Sequence, residues 1–151
     1  MIVNTQPILL VEDTPEDAEA TLRAFKKAGM ANPIYHCRDG DEALDFLRHR
    51  GRYKDAAQAP RPGMILLDLN MPGTDGREVL SEIKADEGLR QIPVSVLTTS
   101  ADERDIQSCY RDGANSYIQK PVDLTSLVTA IQRIKDFWFE VVSVPSTEDL
   151  S

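Results

Sequence analysis

Short, mainly apolar runs recur along the chain, and each is followed by a stretch whose apolar residues return every three or four positions. The runs fall at about 7–11, 33–37, 64–68, 93–97 and 116–119, and the helical patterns at about 15–28, 40–48, 75–86, 102–112 and 123–139. A continuous apolar run of this length suits a strand covered on both faces rather than one with a wet side. Five strand-then-helix units in series imply a parallel sheet with helices on both sides. Right-handed crossovers then leave a doubly wound α/β arrangement, a five-stranded (βα)5 sheet, as the expected fold.

Local signals mark several element ends. Thr14-Pro15-Glu16-Asp17 supplies an N-cap, a proline at the first helical position and early negative charge. Ala18, Leu22 and Phe25 recur at helical spacing, with Gly29 as a C-terminal stop. In the last helix Leu124, Leu127, Val128, Ile131 and Ile134 form one core stripe. Two stretches break the pattern. Residues 49–63 make a connection long enough to suggest a functional or mobile loop. The segment from Phe137 to Pro145 is more apolar than a helix end requires, and Ser146 to Ser151 reads as a disordered polar tail. Ser95 and Gln119 put polar groups into strands expected to be covered, so each needs a partner or a place near a sheet edge.

Composition narrows the class. At 151 residues the chain fits one domain with an ordinary core, and 28% charged against 41% hydrophobic residues is typical of a soluble globular protein. The net charge of −8 argues against nonspecific binding to nucleic acid or an anionic membrane. Cys37 and Cys109 have no neighbours at metal-ligand spacing and read as two reduced thiols. Neither a signal peptide nor a membrane span is legible, so the expected location is cytoplasmic.

The chemistry lies where the runs end. Pro7-Ile8-Leu9-Leu10-Val11 ends in Glu12-Asp13, Met64-Ile65-Leu66-Leu67 ends in Asp68, and Ser116-Tyr117-Ile118-Gln119 ends in Lys120-Pro121. Open α/β sheets place their ligands at the C-terminal ends of the strands. Two like charges about 4 Å apart repel by ~4 kcal/mol at an effective dielectric of 20. Folding gains nothing from such a cluster, so Glu12, Asp13 and Asp68 call for a cation, and hard oxygen ligands select Mg²⁺ or Mn²⁺ over zinc. Asp68 is the candidate nucleophile for a phosphoryl group, Lys120 a point charge for one phosphoryl oxygen, and Thr98-Thr99-Ser100 a hydroxyl donor for another. Each element has a bland reading taken singly. An Asp after a strand is most often a cap, Lys-Pro a solvated turn, and Thr98 a β-branched strand residue. Their convergence on one sheet edge favours the site.

These residues resemble the receiver domains of two-component response regulators. The resemblance spans about residues 6–135 and rests on Glu12-Asp13, Asp68 through Gly76, Pro93-Val94 leading to Thr98, Gly113-Ala114, Tyr117 and Lys120-Pro121. It implies the flavodoxin-like receiver fold and transfer of a phosphoryl group to Asp68 from a histidine of a sensor kinase. Asp13, Asp68 and the backbone carbonyl of Asn70 would hold Mg²⁺, with Glu12 assisting through water. Thr98 and Lys120 would bind the phosphoryl oxygens, and Thr98 with Tyr117 would form the switch. The long connection before the third strand, with Lys135-Asp136-Phe137-Trp138-Phe139 and a Val-Pro tail, also looks like the regulators partnered with cyanobacterial phytochromes.

The implied organisation is a receiver over 1–140 and a tail over 141–151 with no output domain. The aromatic end of the last helix suits a homodimer interface, and equally a tail folded back on its own domain. The basic group Arg48, Arg50, Arg52 and Lys54 suits a solvated helix end, with kinase docking as the lesser reading.

Other classes fit less well. Phosphohydrolases of the haloacid-dehalogenase type carry an acid two positions after the nucleophile, where this chain has Asn70. A nucleotide or flavin binder would need a phosphate-cradling loop where Glu12-Asp13-Thr14-Pro15 would repel phosphate. A phosphorylation-independent docking module stays open. The chain therefore reads as a phospho-accepting switch rather than an enzyme with an external substrate.

Overall fold

The computed structural model describes residues 6–69, 71, 75–98, 103–119 and 123–134. Five β/α units follow in order. They are β1 (Ile8–Val11) and α1 (Pro15–Lys27), β2 (Ile34–Cys37) and α2 (Gly40–Arg48), β3 (Met64–Asp68) and α3 (Gly76–Ala85), β4 (Val94–Thr98) and α4 (Glu103–Arg111), and β5 (Ser116–Gln119) and α5 (Leu124–Ile134). A 3-10 turn, Gly51–Tyr53, interrupts the long connection after α2. All strand pairs are parallel, in the order β2-β1-β3-β4-β5, which is the doubly wound arrangement expected.

Alternation along the strands divides the core into two layers. Leu9, Val11, Ile65, Leu67 and Val96 face α2, α3 and α4. Ile8, Leu10, Met64, Leu66 and Leu97 face α1 and α5. Every residue of β1, β3 and β4 is buried, which is why these strands read as mainly apolar runs. The edge strand β5 is only partly buried, and Gln119 at its end is exposed, so its polarity needs no partner in the core. Ser95 is buried, and the Ser116 hydroxyl donates to its Oγ at 2.7 Å.

Three local expectations are revised. Thr14 stands at the N-cap of α1 with extended backbone, but its side chain makes no capping bond. Leu22 is 38% exposed, whereas Thr21 is buried and returns its hydroxyl to the Asp17 carbonyl at 2.8 Å. The inward stripe of α1 thus runs through Ala18, Thr21, Ala24 and Phe25, and Leu22 falls on its outer flank. The 49–63 connection is pinned rather than loose. His49 ends α2 in the left-handed region (φ 55°), and its Nε2 lies 2.7 Å from the Ala59 carbonyl oxygen. Arg61 donates to the Gly88 carbonyl, and the Tyr53 ring meets Phe46 edge-on at 5.1 Å.

The basic group of that stretch is largely neutralised by acids. Arg48 reaches Glu82 at 3.4 Å and Asp86 at 3.6 Å, Arg50 reaches Asp45 at 3.5 Å, and Arg52 reaches Glu42 at 2.6 Å. Three of its four residues thus form local pairs, as a solvated helix end would. Both cysteines are free and buried. No helix among the described residues is long and apolar enough to cross a membrane. The expectations for Phe137–Phe139, for the tail and for the Ile134 side chain fall outside the described residues.

Candidate functional site

β1 and β3 are neighbours, and their register pairs Val11 with Leu67. The next residues, Glu12 and Asp68, therefore emerge side by side at the C-terminal edge of the sheet. Carboxylate oxygens of Glu12, Asp13 and Asp68 all lie within 4.8 Å of one another. Glu12 and Asp68 are buried, at 0% and 3% exposure, so their charges face little bulk water. Thr98 ends β4 one residue beyond the position paired with Asp68, and it too is fully buried. Tyr117 sits opposite Val96 on β5, half-buried against the layer of α2, α3 and α4.

Backbone interactions hold this edge in place. The Glu12 amide donates to the Cys37 carbonyl at 3.0 Å, and His36 Nε2 donates to the Glu12 carbonyl at 2.7 Å. The neighbouring edge strand thus fixes both peptide groups of Glu12. On β3, the Leu69 amide donates to Leu97 at 3.1 Å, tying the chain after Asp68 to β4. Gly76 opens α3 directly against this bend. A Cβ there would lie 2.6 Å from the Leu69 Cα and would also strike the Asp68 carbonyl oxygen. Only glycine lets α3 start this close to the acidic edge. Asp75 caps α3 by accepting the Arg77 amide at 2.8 Å, and Arg77 bridges to Asp105 of α4 at 3.0 Å.

The donor set fits a divalent cation. Its atoms are hard carboxylate oxygens with no imidazole or thiolate among the three residues. Asp13 Oδ1 is buried with no hydrogen-bond partner among the described residues, a lone acceptor that a cation would satisfy. The structure therefore brings together Glu12, Asp13 and Asp68, with Thr98 on the strand next to Asp68. Asn70, Thr99, Ser100, Lys120 and Pro121, also expected at this edge, lie outside the described residues. The sequence did not expose the support from His36, because that bond joins residues 24 positions apart. The Asp-Gly pair at 75–76 is the local signal for this cap and close approach.

A parallel sheet in this strand order, with three acids converging on its C-terminal edge, defines a doubly wound α/β protein with its candidate site where such folds place their ligands. The chain belongs to the response regulator receiver domain family, whose profile matches residues 8–132. It is 42% identical over 139 residues to the response regulator Rcp1 of Synechocystis sp., covering 92% of each chain. It is also 45% identical over 132 residues to the probable methanogenesis regulatory protein FilR2 of Methanothrix harundinacea, covering 87% of this chain and 82% of that one. Among solved structures, the phosphorylated cyanobacterial phytochrome response regulator RcpA superposes with a TM-score of 0.85 at 41% identity, covering 95% of this chain and 100% of that one. The Mn²⁺-bound form of Rcp1 superposes at 0.82 and 42% identity, covering 93% and 99%.

Proposed function

We propose that Asp68 accepts a phosphoryl group from a histidine of a sensor kinase, and that this chain is the receiver of a phytochrome-type light-signalling pathway. The observation that carries the reading is the convergence of three carboxylates within 4.8 Å, two of them buried, at one sheet edge. The similarity to RcpA and Rcp1 supports the phytochrome assignment.

Glu12, Asp13 and Asp68, with the backbone carbonyl of Asn70, would hold Mg²⁺, with Mn²⁺ as the alternative. A bound divalent ion supplies charge neutralisation for the anionic donor and for the phosphoryl group in transfer. A carboxylate oxygen of Asp68 attacks phosphorus, the bond to the donor breaks, and the histidine leaves with the electron pair. Burial of Asp68 limits competing water near the acyl phosphate. Thr98 and Lys120 bind phosphoryl oxygens, and Thr98 moving toward them lets Tyr117 turn inward, so a local charge change reshapes the surface. The chain catalyses its own phosphorylation and dephosphorylation and turns over no external substrate. The receiver occupies 1–140 with a tail over 141–151. A homodimer through the last helix and tail, and a cytoplasmic location, complete the proposal.

The test is intact mass after incubation with acetyl phosphate, with and without Mg²⁺, for wild type and Asp68→Asn. A gain of one phosphoryl group that needs Mg²⁺ and disappears in Asp68→Asn is expected. A wild type that binds Mg²⁺ but stays unlabelled would favour a docking module without phosphotransfer.

A further inference from the structure

A cleft of about 680 Å³ opens where β2 meets α2 and the 3-10 turn, lined by Arg38, Asp39, Glu42, Asp45, Arg52 and Tyr53, with His36 on its wall. Its acids are already occupied. Glu42 accepts the Arg38 amide at 2.7 Å and the Tyr53 hydroxyl at 2.7 Å, and it pairs with Arg52 at 2.6 Å. Asp39 accepts the Glu42 amide at 2.8 Å, and Asp45 pairs with Arg50 at 3.5 Å. The cations are committed in the same way, with one exception. The guanidinium of Arg38 is exposed and makes no ion pair or hydrogen bond among the described residues. The Arg38 guanidinium at the mouth of the cleft is therefore the donor suited to an incoming carboxylate.

Its position decides what would meet it. Arg38 follows Cys37, which pairs with Val11, so it stands level with Glu12 at the edge that carries Asp68. Neighbouring strands lie about 4.8 Å apart, which puts Arg38 about 10 Å from the end of β3. A protein that reaches Asp68 covers about 800 Å², a patch roughly 30 Å across. Any macromolecular phosphodonor presented squarely to Asp68 covers Arg38 as well. In a chain of net charge −8, a cation there with no ion pair among the described residues attracts an acidic group on the donor and sets its orientation.

We infer that Arg38 and its cleft are a docking point for the phosphodonor protein, receiving an acidic side chain of the histidine kinase's donor domain. This rests on Asp68 being the acceptor. Arg38 touches no reacting atom; it positions the donor.

The test compares two donors, acetyl phosphate and a purified, autophosphorylated phytochrome histidine kinase that labels the wild-type chain. Arg38→Glu is expected to raise KM for the kinase about tenfold, and less at high salt, as for an ion pair at an interface. Its labelling by acetyl phosphate should stay within about twofold of wild type, and Arg38→Lys should recover part of the kinase KM. Lys26→Glu, an equal charge change on an exposed residue in the last turn of α1, should leave the kinase KM unchanged. An unchanged kinase KM in Arg38→Glu, an equal rise in Lys26→Glu, or loss of labelling by both donors would each overturn the proposal. Kinase labelling that persists in Asp68→Asn would instead sink the choice of acceptor, a separate failure.

Discussion

Two groups of acids share the same end of the sheet and are treated in opposite ways. At the β2–α2 corner, Glu42 is enclosed by an amide, a hydroxyl and a guanidinium. Burial alone would raise its carboxyl, but the Arg38 amide, the Tyr53 hydroxyl and the Arg52 charge outweigh it and hold the group below the ordinary glutamate value. The same enclosure pushes the buried Cys37 thiol up to about 12, through burial first and the Glu42 charge second, so it stays protonated. Glu12, Asp13 and Asp68 instead gather negative charge beside negative charge, and one buried oxygen has no partner among the described residues. A matched acid holds structure together. A concentrated set stores repulsion that a cation and a phosphoryl group can use.

Breaking the concentrated set gives the largest expected effect. In metal-free buffer Asp13→Asn should raise Tm, because it removes one of the mutually repelling charges. Mg²⁺ at a hundredfold excess over Kd should stabilise the wild type by about 2.7 kcal/mol and Asp13→Asn far less. Thermal melts with and without Mg²⁺ read both, and an equal Mg²⁺ shift in the two proteins would deny the acids a shared cation.

Next comes the glycine that lets α3 start against β3. Gly76→Ala should cost about 1–3 kcal/mol as the bend after Asp68 gives way. It should also slow acetyl phosphate labelling. Urea unfolding measures the first effect, and a change under ~0.5 kcal/mol would mean that the close approach relaxes freely.

The matched corner should respond more mildly. Tyr53→Phe removes one hydrogen bond to Glu42 and should cost about 1 kcal/mol. Because the folded carboxyl of Glu42 sits below its unfolded value, its contribution is complete above the unfolded pKa and is lost as pH falls through the folded one. In Tyr53→Phe, stability measured across the acid range should therefore fall less on acidification than in wild type. An identical acid slope would show that Tyr53 does not help hold that charge. Smallest of all, Glu19→Gln breaks only the exposed pair to Arg23 at 3.2 Å, and should change stability by about 0.5 kcal/mol or less in a urea titration.

What the sequence determined by itself was local. Strands covered on both faces are mainly apolar, so β1, β3 and β4 were legible as runs, and the acids ending β1 and β3 were legible as a site. Right-handed crossovers carried the same reading to the doubly wound sheet. Turn chemistry also exposed Gly29, which takes φ 77° after α1.

Tertiary structure decided the rest, because pairing across distance leaves no trace in a local pattern. Leu22 falls on the outer flank of α1 while Thr21 is buried, since periodicity alone does not say which flank of a helix the sheet covers. Ser95 finds its partner 21 residues away on β5. Among the arginines, sequence singled out Arg48, Arg50 and Arg52, and the fold gave each of them an acid. It left Arg38 beside the acidic edge with its charge unclaimed among the described residues. Whether a charge is spent or available depends on what the fold brings within about 4 Å of it, and only the assembled sheet and its helices settle that.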